Sequence, residues 1–134
     1  MITECEVKPI NILCFEDNEY TRITIEDYMR IKFKANVDFF RNYLGSGPIL
    51  KTHLIDRYDA VIADCMTPLK DAFSCLSELA NCGKTVIFYT CLDREDFCSK
   101  CKKILGYIPF NFKFVQKATA DNLNTIGKLI ENEL

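Results

Sequence analysis

Four places in the chain carry side chains that could act together on a phosphoryl group. Two adjacent carboxylates, Glu16 and Asp17, follow the apolar run 10–15, and a lone carboxylate, Asp64, follows the run 59–63. A hydroxyl, Thr90, closes the run 85–90, and an amine, Lys117, follows the run 112–116. Three carboxylates brought together repel one another unless a cation or a proton intervenes. Oxygen ligands that leave positions for water suit Mg2+ or Mn2+. A nucleophile, a metal, a hydrogen-bond donor and a cation are the parts needed to move a phosphoryl group onto a carboxylate. Asp64, alone after its run, is the nucleophile candidate, and Glu16 and Asp17 form the metal-holding pair.

The elements that must position these residues alternate along the chain. The runs "INILCF" (10–15, β1), "VDFF" (37–40, β2), "DAVIA" (59–63, β3), "TVIFYT" (85–90, β4) and "FKFVQ" (112–116, β5) are too short for helices and rich in Val, Ile, Phe and Tyr. Strands apolar on both faces belong in a parallel sheet covered on both sides. Helix-period segments lie between and after them: 19–33 (α1), 48–57 (α2), 69–80 (α3), 93–105 (α4) and 121–134 (α5). Ile25, Tyr28 and Met29, Phe73, Leu76 and Leu79, Phe97, Cys101, Ile104 and Leu105, and Leu123, Ile126, Leu129 and Ile130 supply their apolar stripes. Pro48 suits a first helical turn. The pattern is a doubly wound α/β domain of five strands and five helices, in which ligands bind beyond the carboxyl ends of the strands.

The composition fits this picture and excludes others. A chain of 134 residues with 49% hydrophobic residues makes one domain, 1–134, with one core. A net charge of −2 gives no general electrostatic case for nucleic-acid binding. No apolar run reaches the length of a membrane span, and the N-terminal "MITECEVKPI" is not a secretory signal, so the expectation is a cytoplasmic protein without a membrane partner. The eight cysteines read mostly as small buried hydrophobes rather than as a disulfide framework.

Taken in order, "FEDN", "DCMTP", "FYTC" and "FVQK", each at a strand end, resemble the receiver domain of two-component response regulators, the CheY-like family. The resemblance covers residues 9 to 134 and implies the strand order 2-1-3-4-5. It implies that Asp64 is the phosphoacceptor and that Asp17 binds Mg2+ directly, with Glu16 acting through water and the carbonyl of Met66 completing the ligands. It places the backbone N–H groups of Met66 and Cys91 toward the phosphoryl oxygens, Lys117 in an ion pair with them, and Thr90 and Phe114 as a two-state switch. A sensor histidine kinase or a histidine phosphotransfer protein is the implied donor. The face formed by α4, β5 and α5 is the implied contact for a downstream effector or a second copy. Such a domain is no enzyme beyond its own phosphorylation and dephosphorylation.

The chain departs from the family pattern in several places. Ala118 stands where the family usually has a proline after the strand-five lysine. "GYIPFNFKF" replaces the usual Gly-Ala turn before β5 and brings four aromatic residues, either an exposed patch or a loop folded onto the core. Cys91 is bulkier than the usual Ala or Gly, and Met66 and Leu92 are apolar where they flank the path of a hydrolytic water.

Plainer readings apply to other features. "CSKC" (98–101) lacks the further ligands zinc needs and falls inside a helix, so it reads as structural or surface thiols. His53, the single histidine, falls on α2 away from the strand ends and is expected in solvent. The rival to a phosphoaccepting receiver is a receiver-like interaction module that binds its partner whether or not Asp64 is modified. A phosphatase on the same topology would want its nucleophile after β1, and a flavin site would want a phosphate-cradling loop where "FEDN" is acidic.

Overall fold

A computed structural model describes residues 9–16, 18–40, 53–64, 76–117 and 122–133. Five parallel strands form one sheet in the order β2-β1-β3-β4-β5. The strands are β1 Asn11–Phe15, β2 Asn36–Phe40, β3 Ala60–Ala63, β4 Val86–Thr90 and β5 Phe112–Gln116. The α-helices among the described residues are α1 Glu19–Phe33, α3 Leu76–Asn81, α4 Arg94–Leu105 and α5 Asn122–Glu133.

Side-chain alternation explains why both faces of the sheet are covered. Leu13, Phe15, Val61, Ala63 and Phe88 point to one face and pack under Leu76 and Leu79 of α3 and Phe97 and Cys101 of α4. Ile12, Cys14, Ile62, Ile87 and Tyr89 point to the other, under Ile25 and Met29 of α1 and Ile126 and Ile130 of α5. Every residue of β3 and β4 is buried. The period of two in the strands and the stripes of the helices therefore describe one two-sided core. Ile104 is the exception to the α4 stripe, with 49% of its surface exposed. It lies in the helix's last turn beside Leu105, which packs against the core while Ile104 faces outward.

The second helical segment corrects the expectation of a fifth α-helix. Its described part is a single 3-10 helix, His53–Arg57, for which the label α2 is kept; residues 48–52 lie outside the described residues. The two residues that follow fix the chain. Tyr58 donates its hydroxyl to Oδ2 of Asp38 at 2.7 Å, and Asp59 Oδ2 accepts from the backbone N–H of Asn11 at 2.8 Å. With the chain committed to β3 so soon, the last turn closes three residues back, from the Tyr58 N–H to the Ile55 carbonyl at 3.1 Å. Of α3, residues 69–75 also lie outside the described part.

Local signals set the long helices. Asn18 caps α1, its Oδ1 accepting from the Thr21 N–H at 2.9 Å, and Asp93 caps α4 by accepting from the Asp96 N–H at 2.8 Å. Gly106 ends α4 at φ 87°, the left-handed conformation glycine adopts without strain.

Candidate functional site

Parallel pairing carries the chemistry-bearing residues to one edge. Phe15 pairs with Ala63 across β1 and β3, so the next residues, Glu16 and Asp64, leave the sheet side by side. The Asp64 N–H donates to the Phe15 carbonyl at 3.0 Å and fixes that alignment. Thr90 pairs with Gln116 across β4 and β5, and the Lys117 N–H donates to the Thr90 carbonyl at 2.9 Å. The Lys117 side chain reaches back over the end of β4, its ammonium 5.4 Å from the centre of the Tyr89 ring. It ends between the two carboxylates, 2.9 Å from Oε1 of Glu16 and 3.0 Å from Oδ2 of Asp64.

This cluster is nearly dry. Glu16 is 2% exposed, Asp64 4% and Thr90 not at all. Burial pushes the Glu16 carboxyl above its ordinary range, the charge of Asp64 adds to that, and the Lys117 hydrogen bond pulls the other way. For Lys117, burial works against the ammonium, but the hydrogen bond to Glu16 and the charges of Asp64 and Glu16 outweigh it and leave the group raised. With both carboxylates ionised around one ammonium, the pocket carries one negative charge in excess, which a further cation or a proton on Glu16 offsets. Glu16 also holds its own loop, Oε2 accepting from the Asn18 N–H at 3.2 Å.

Of the sequence-derived residues, Glu16, Asp64 and Lys117 meet directly, and Thr90 closes the strand beside them. Asp17 and Met66 lie outside the described residues. Among the described residues no group of three His, Cys, Asp or Glu side chains forms a metal cluster, and the site contributes two carboxylates to a possible ion. Their oxygens are of the hard type Mg2+ and Mn2+ accept, and the excess negative charge fits such an ion. Cys91 is exposed at the rim. The Leu92 N–H lies 3.4 Å from Oγ1 of Thr90.

Phe114 shares a sheet face with Thr90. Phe88 pairs with Phe114 and Thr90 with Gln116, so Thr90 and Phe114 are diagonal neighbours on adjacent strands. The Phe114 ring is half-buried, 5.4 Å from the Phe97 ring centre and 5.0 Å below the Arg94 guanidinium. Sequence reasoning passed over three residues at this edge. Tyr89 forms the aromatic floor under Lys117. Asn122, the first residue of α5, donates from Nδ2 to the Lys117 carbonyl at 2.9 Å. Arg22 sits over the Phe39 ring at 5.2 Å, with its Nε buried and without a hydrogen-bond partner. The position of Tyr89, one residue before Thr90 and so on the opposite face, was the available signal for the first.

No family model and no curated protein matches the sequence. Solved structures do match in fold. The chemotaxis response regulator CheY4 of Vibrio cholerae superposes with a TM-score of 0.65 at 14% identity, over 95% of this chain and 100% of that one. The receiver domain of a sensor histidine kinase from Pseudomonas aeruginosa PAO1, with a magnesium ion coordinated in its active site cleft, gives 0.68 at 18% identity, over 92% and 96%. The phosphorylated cyanobacterial phytochrome response regulator RcpA gives 0.66 at 17%, over 92% and 90%. The chain therefore has the fold of CheY-like receiver domains.

Proposed function

We propose that the chain is a phosphoaccepting receiver domain of a two-component phosphorelay, modified on Asp64. The observation that carries this reading is the Lys117 ammonium, held at 2.9 and 3.0 Å between the buried carboxylates of Glu16 and Asp64 at the carboxyl edge of the sheet. A half-buried lysine clamped there is a cation already in place for an incoming phosphoryl oxygen.

In this reading an Asp64 carboxylate oxygen attacks the phosphorus of a phosphohistidine on a sensor kinase or phosphotransfer protein. The new O–P bond forms as the P–N bond breaks, and the departing imidazole takes up a proton. Glu16, Asp17, Asp64 and the Met66 carbonyl would hold a Mg2+ or Mn2+ ion, which would supply neutralising charge to the phosphoryl oxygens. Lys117 shifts its ion pair from the Asp64 carboxylate to the phosphoryl group, and the backbone N–H groups of Met66 and Cys91 donate to its remaining oxygens. Thr90 turns its hydroxyl toward the same group. Phe114, its diagonal neighbour on that face, then repacks between Phe97 and Arg94 and alters the α4–β5–α5 face that an effector or a second copy reads. Water later returns Asp64 to a free carboxylate and releases phosphate, the only reactions the domain catalyses. The setting is the cytoplasm.

A second reading has its own support. A groove of about 370 Å3 runs between α4 and α5 over β5, lined by Phe97, Ile108, Phe112, Phe114 and Leu129. Partner binding there without any modification of Asp64 makes the domain a constitutive interaction module. Phosphate-affinity electrophoresis after acetyl phosphate and Mg2+ separates the two readings. A Mg2+-dependent shifted band in the wild type, absent in Asp64→Asn, supports the phosphoacceptor. No shift with acetyl phosphate or with a phosphorylated histidine donor, together with partner binding unchanged in Asp64→Asn, supports the module.

A further inference from the structure

We propose that the end of the molecule opposite the acidic site docks on an anionic lipid bilayer, with the α4–β5 loop entering the headgroup region. The loop that follows Gly106 exposes 53% of Tyr107, 39% of Ile108 and 92% of Phe110, beside an Ile104 that is 49% exposed. Contiguous exposed apolar side chains of this kind mark a contact surface. The loop is built to hold this shape. Pro109 is buried, and Asn111 donates from Nδ2 to the carbonyls of Leu79 at 3.3 Å and Lys84 at 2.8 Å. Lys113 Nζ reaches the Phe110 carbonyl at 3.5 Å. Phe110 is thus presented outward from a fixed base, while Phe112 two residues on is in the core.

Charge selects the partner. Residues 97–120 contain five of the chain's 17 basic residues and none of its 19 acidic ones, in a protein of net charge −2. Lys117 belongs to the acidic site at the far end, whereas Lys102 and Lys103 are exposed in the last turn of α4 and Lys113 stands next to the loop. Lysines in a last helical turn also complement the helix dipole, but that accounts for no exposed aromatic tip. Exposed apolar side chains at the loop tip, with Lys102 and Lys103 exposed beside them, match a surface of lipid phosphates, where aromatic rings rest at headgroup depth and ammonium groups meet the anionic surface.

The orientation keeps the acidic site free. The loop precedes β5 and Lys117 follows it, so the length of a five-residue strand, roughly 17 Å, separates the bilayer from the site. Among the described residues no helix is long and apolar enough to cross a membrane, and surface docking requires none. The sequence-based expectation named no membrane partner, and the proposal departs from it by adding a surface contact.

The test is co-sedimentation of the full chain with vesicles of phosphatidylcholine alone or with about 30 mol% phosphatidylserine as the anionic lipid, in low and high salt. The expected result is binding to the anionic vesicles only, weakened by salt. A tenfold or greater loss is expected in Phe110→Ser and in Lys102→Glu with Lys103→Glu, with melting curves near that of the wild type. Absence of binding to phosphatidylserine vesicles, or binding indifferent to Phe110→Ser, overturns the proposal. A concentration-dependent dimer abolished by Phe110→Ser, without vesicle binding, assigns the tip to a second copy and overturns it too. Asp64→Asn leaves vesicle binding unchanged, so this result and the phosphorylation result stand or fall separately.

Discussion

The Lys117 ammonium lies 2.9 Å from Oε1 of Glu16, a residue 101 positions earlier in the chain. The carboxyl of that pair is not at ease: burial and the neighbouring Asp64 raise its affinity for a proton despite the hydrogen bond from Lys117. The folded protein therefore binds more protons at Glu16 than the unfolded chain does above the ordinary value of 4.5. Stability contributed by this group falls as pH climbs from there through the folded value. Glu16→Gln is expected to melt at a higher temperature than the wild type at pH 7, with the advantage closing as pH is lowered below 4.5. Calorimetric melting temperatures across that range check the sign.

Lys117 carries the opposite dependence. Its folded value is raised, so its contribution is present in full below 10.5 and is lost as pH rises through the folded value. Lys117→Met leaves two buried carboxylates without their cation, a loss of roughly 3–5 kcal/mol at neutral pH for a broken buried pair. The deficit is expected to shrink in acid, where Glu16, whose carboxyl is raised, takes up a proton. Urea unfolding at neutral and acidic pH measures both values, and an equal loss at the two would assign the effect to lost side-chain packing.

The Tyr58 hydroxyl donates to Oδ2 of Asp38 at 2.7 Å and ties the end of α2 to β2. Burial, then the Asp38 bond and charge, push the phenol up to about 12. Because the native state holds this proton more tightly, stability falls as pH rises from 10 toward 12. Tyr58→Phe is expected to cost about 2 kcal/mol, the scale of a hydrogen bond to a charged group. In an ultraviolet phenol titration it should remove a single transition near 12.

The carboxyl edge of the sheet was legible because parallel strands buried on both faces announce their own ends. Phe112 to Gln116 forms a strand at the expected bounds, and Glu16, Asp64, Thr90 and Lys117 follow or close their runs where pairing brings them together. Tertiary anchors were not legible. Nothing local says that Tyr58 will be held by Asp38, and that bond helps turn an expected helix into one 3-10 turn. Nor does local pattern say which aromatic before β5 turns inward. Asn111, bonded to the Leu79 and Lys84 carbonyls, sets the register that buries Phe112 and leaves Phe110 outside.

Gly127 of α5 faces Tyr28 of α1 so closely that a side chain there requires the tyrosine to shift. A Cβ there meets the Tyr28 hydroxyl in hard contact and its ring carbon Cε1 at 3.2 Å. Alanine gains about 1 kcal/mol over glycine inside a helix, whereas overpacking costs about 1–3 kcal/mol. Gly127→Ala is expected to be destabilising or neutral in the wild type and distinctly less harmful in Tyr28→Phe, where the clashing oxygen is gone. A double-mutant cycle of unfolding free energies checks the coupling, and additivity within about 0.5 kcal/mol would place the two helices farther apart than this contact requires.

The thiols divide sharply by environment. Cys91 is exposed beside the acidic site, Cys98 is half-buried, and Cys14, Cys82 and Cys101 are buried. Burial raises all three of the latter, Cys14 well above its ordinary value and Cys101 to about 11, so they hold little of the reactive thiolate near pH 8. Among the described cysteines, iodoacetamide at that pH is therefore expected to label Cys91 first and Cys98 more slowly, with Cys14, Cys82 and Cys101 labelled only on unfolding. Peptide mass spectrometry over a time course reads the order. Carboxamidomethylation of Cys91 places a bulky amide at the rim where its backbone N–H is proposed to meet a phosphoryl oxygen. Under the phosphoacceptor reading, the labelled protein is expected to accept a phosphoryl group from acetyl phosphate more slowly than the unlabelled protein, and Cys91→Ala to escape that loss.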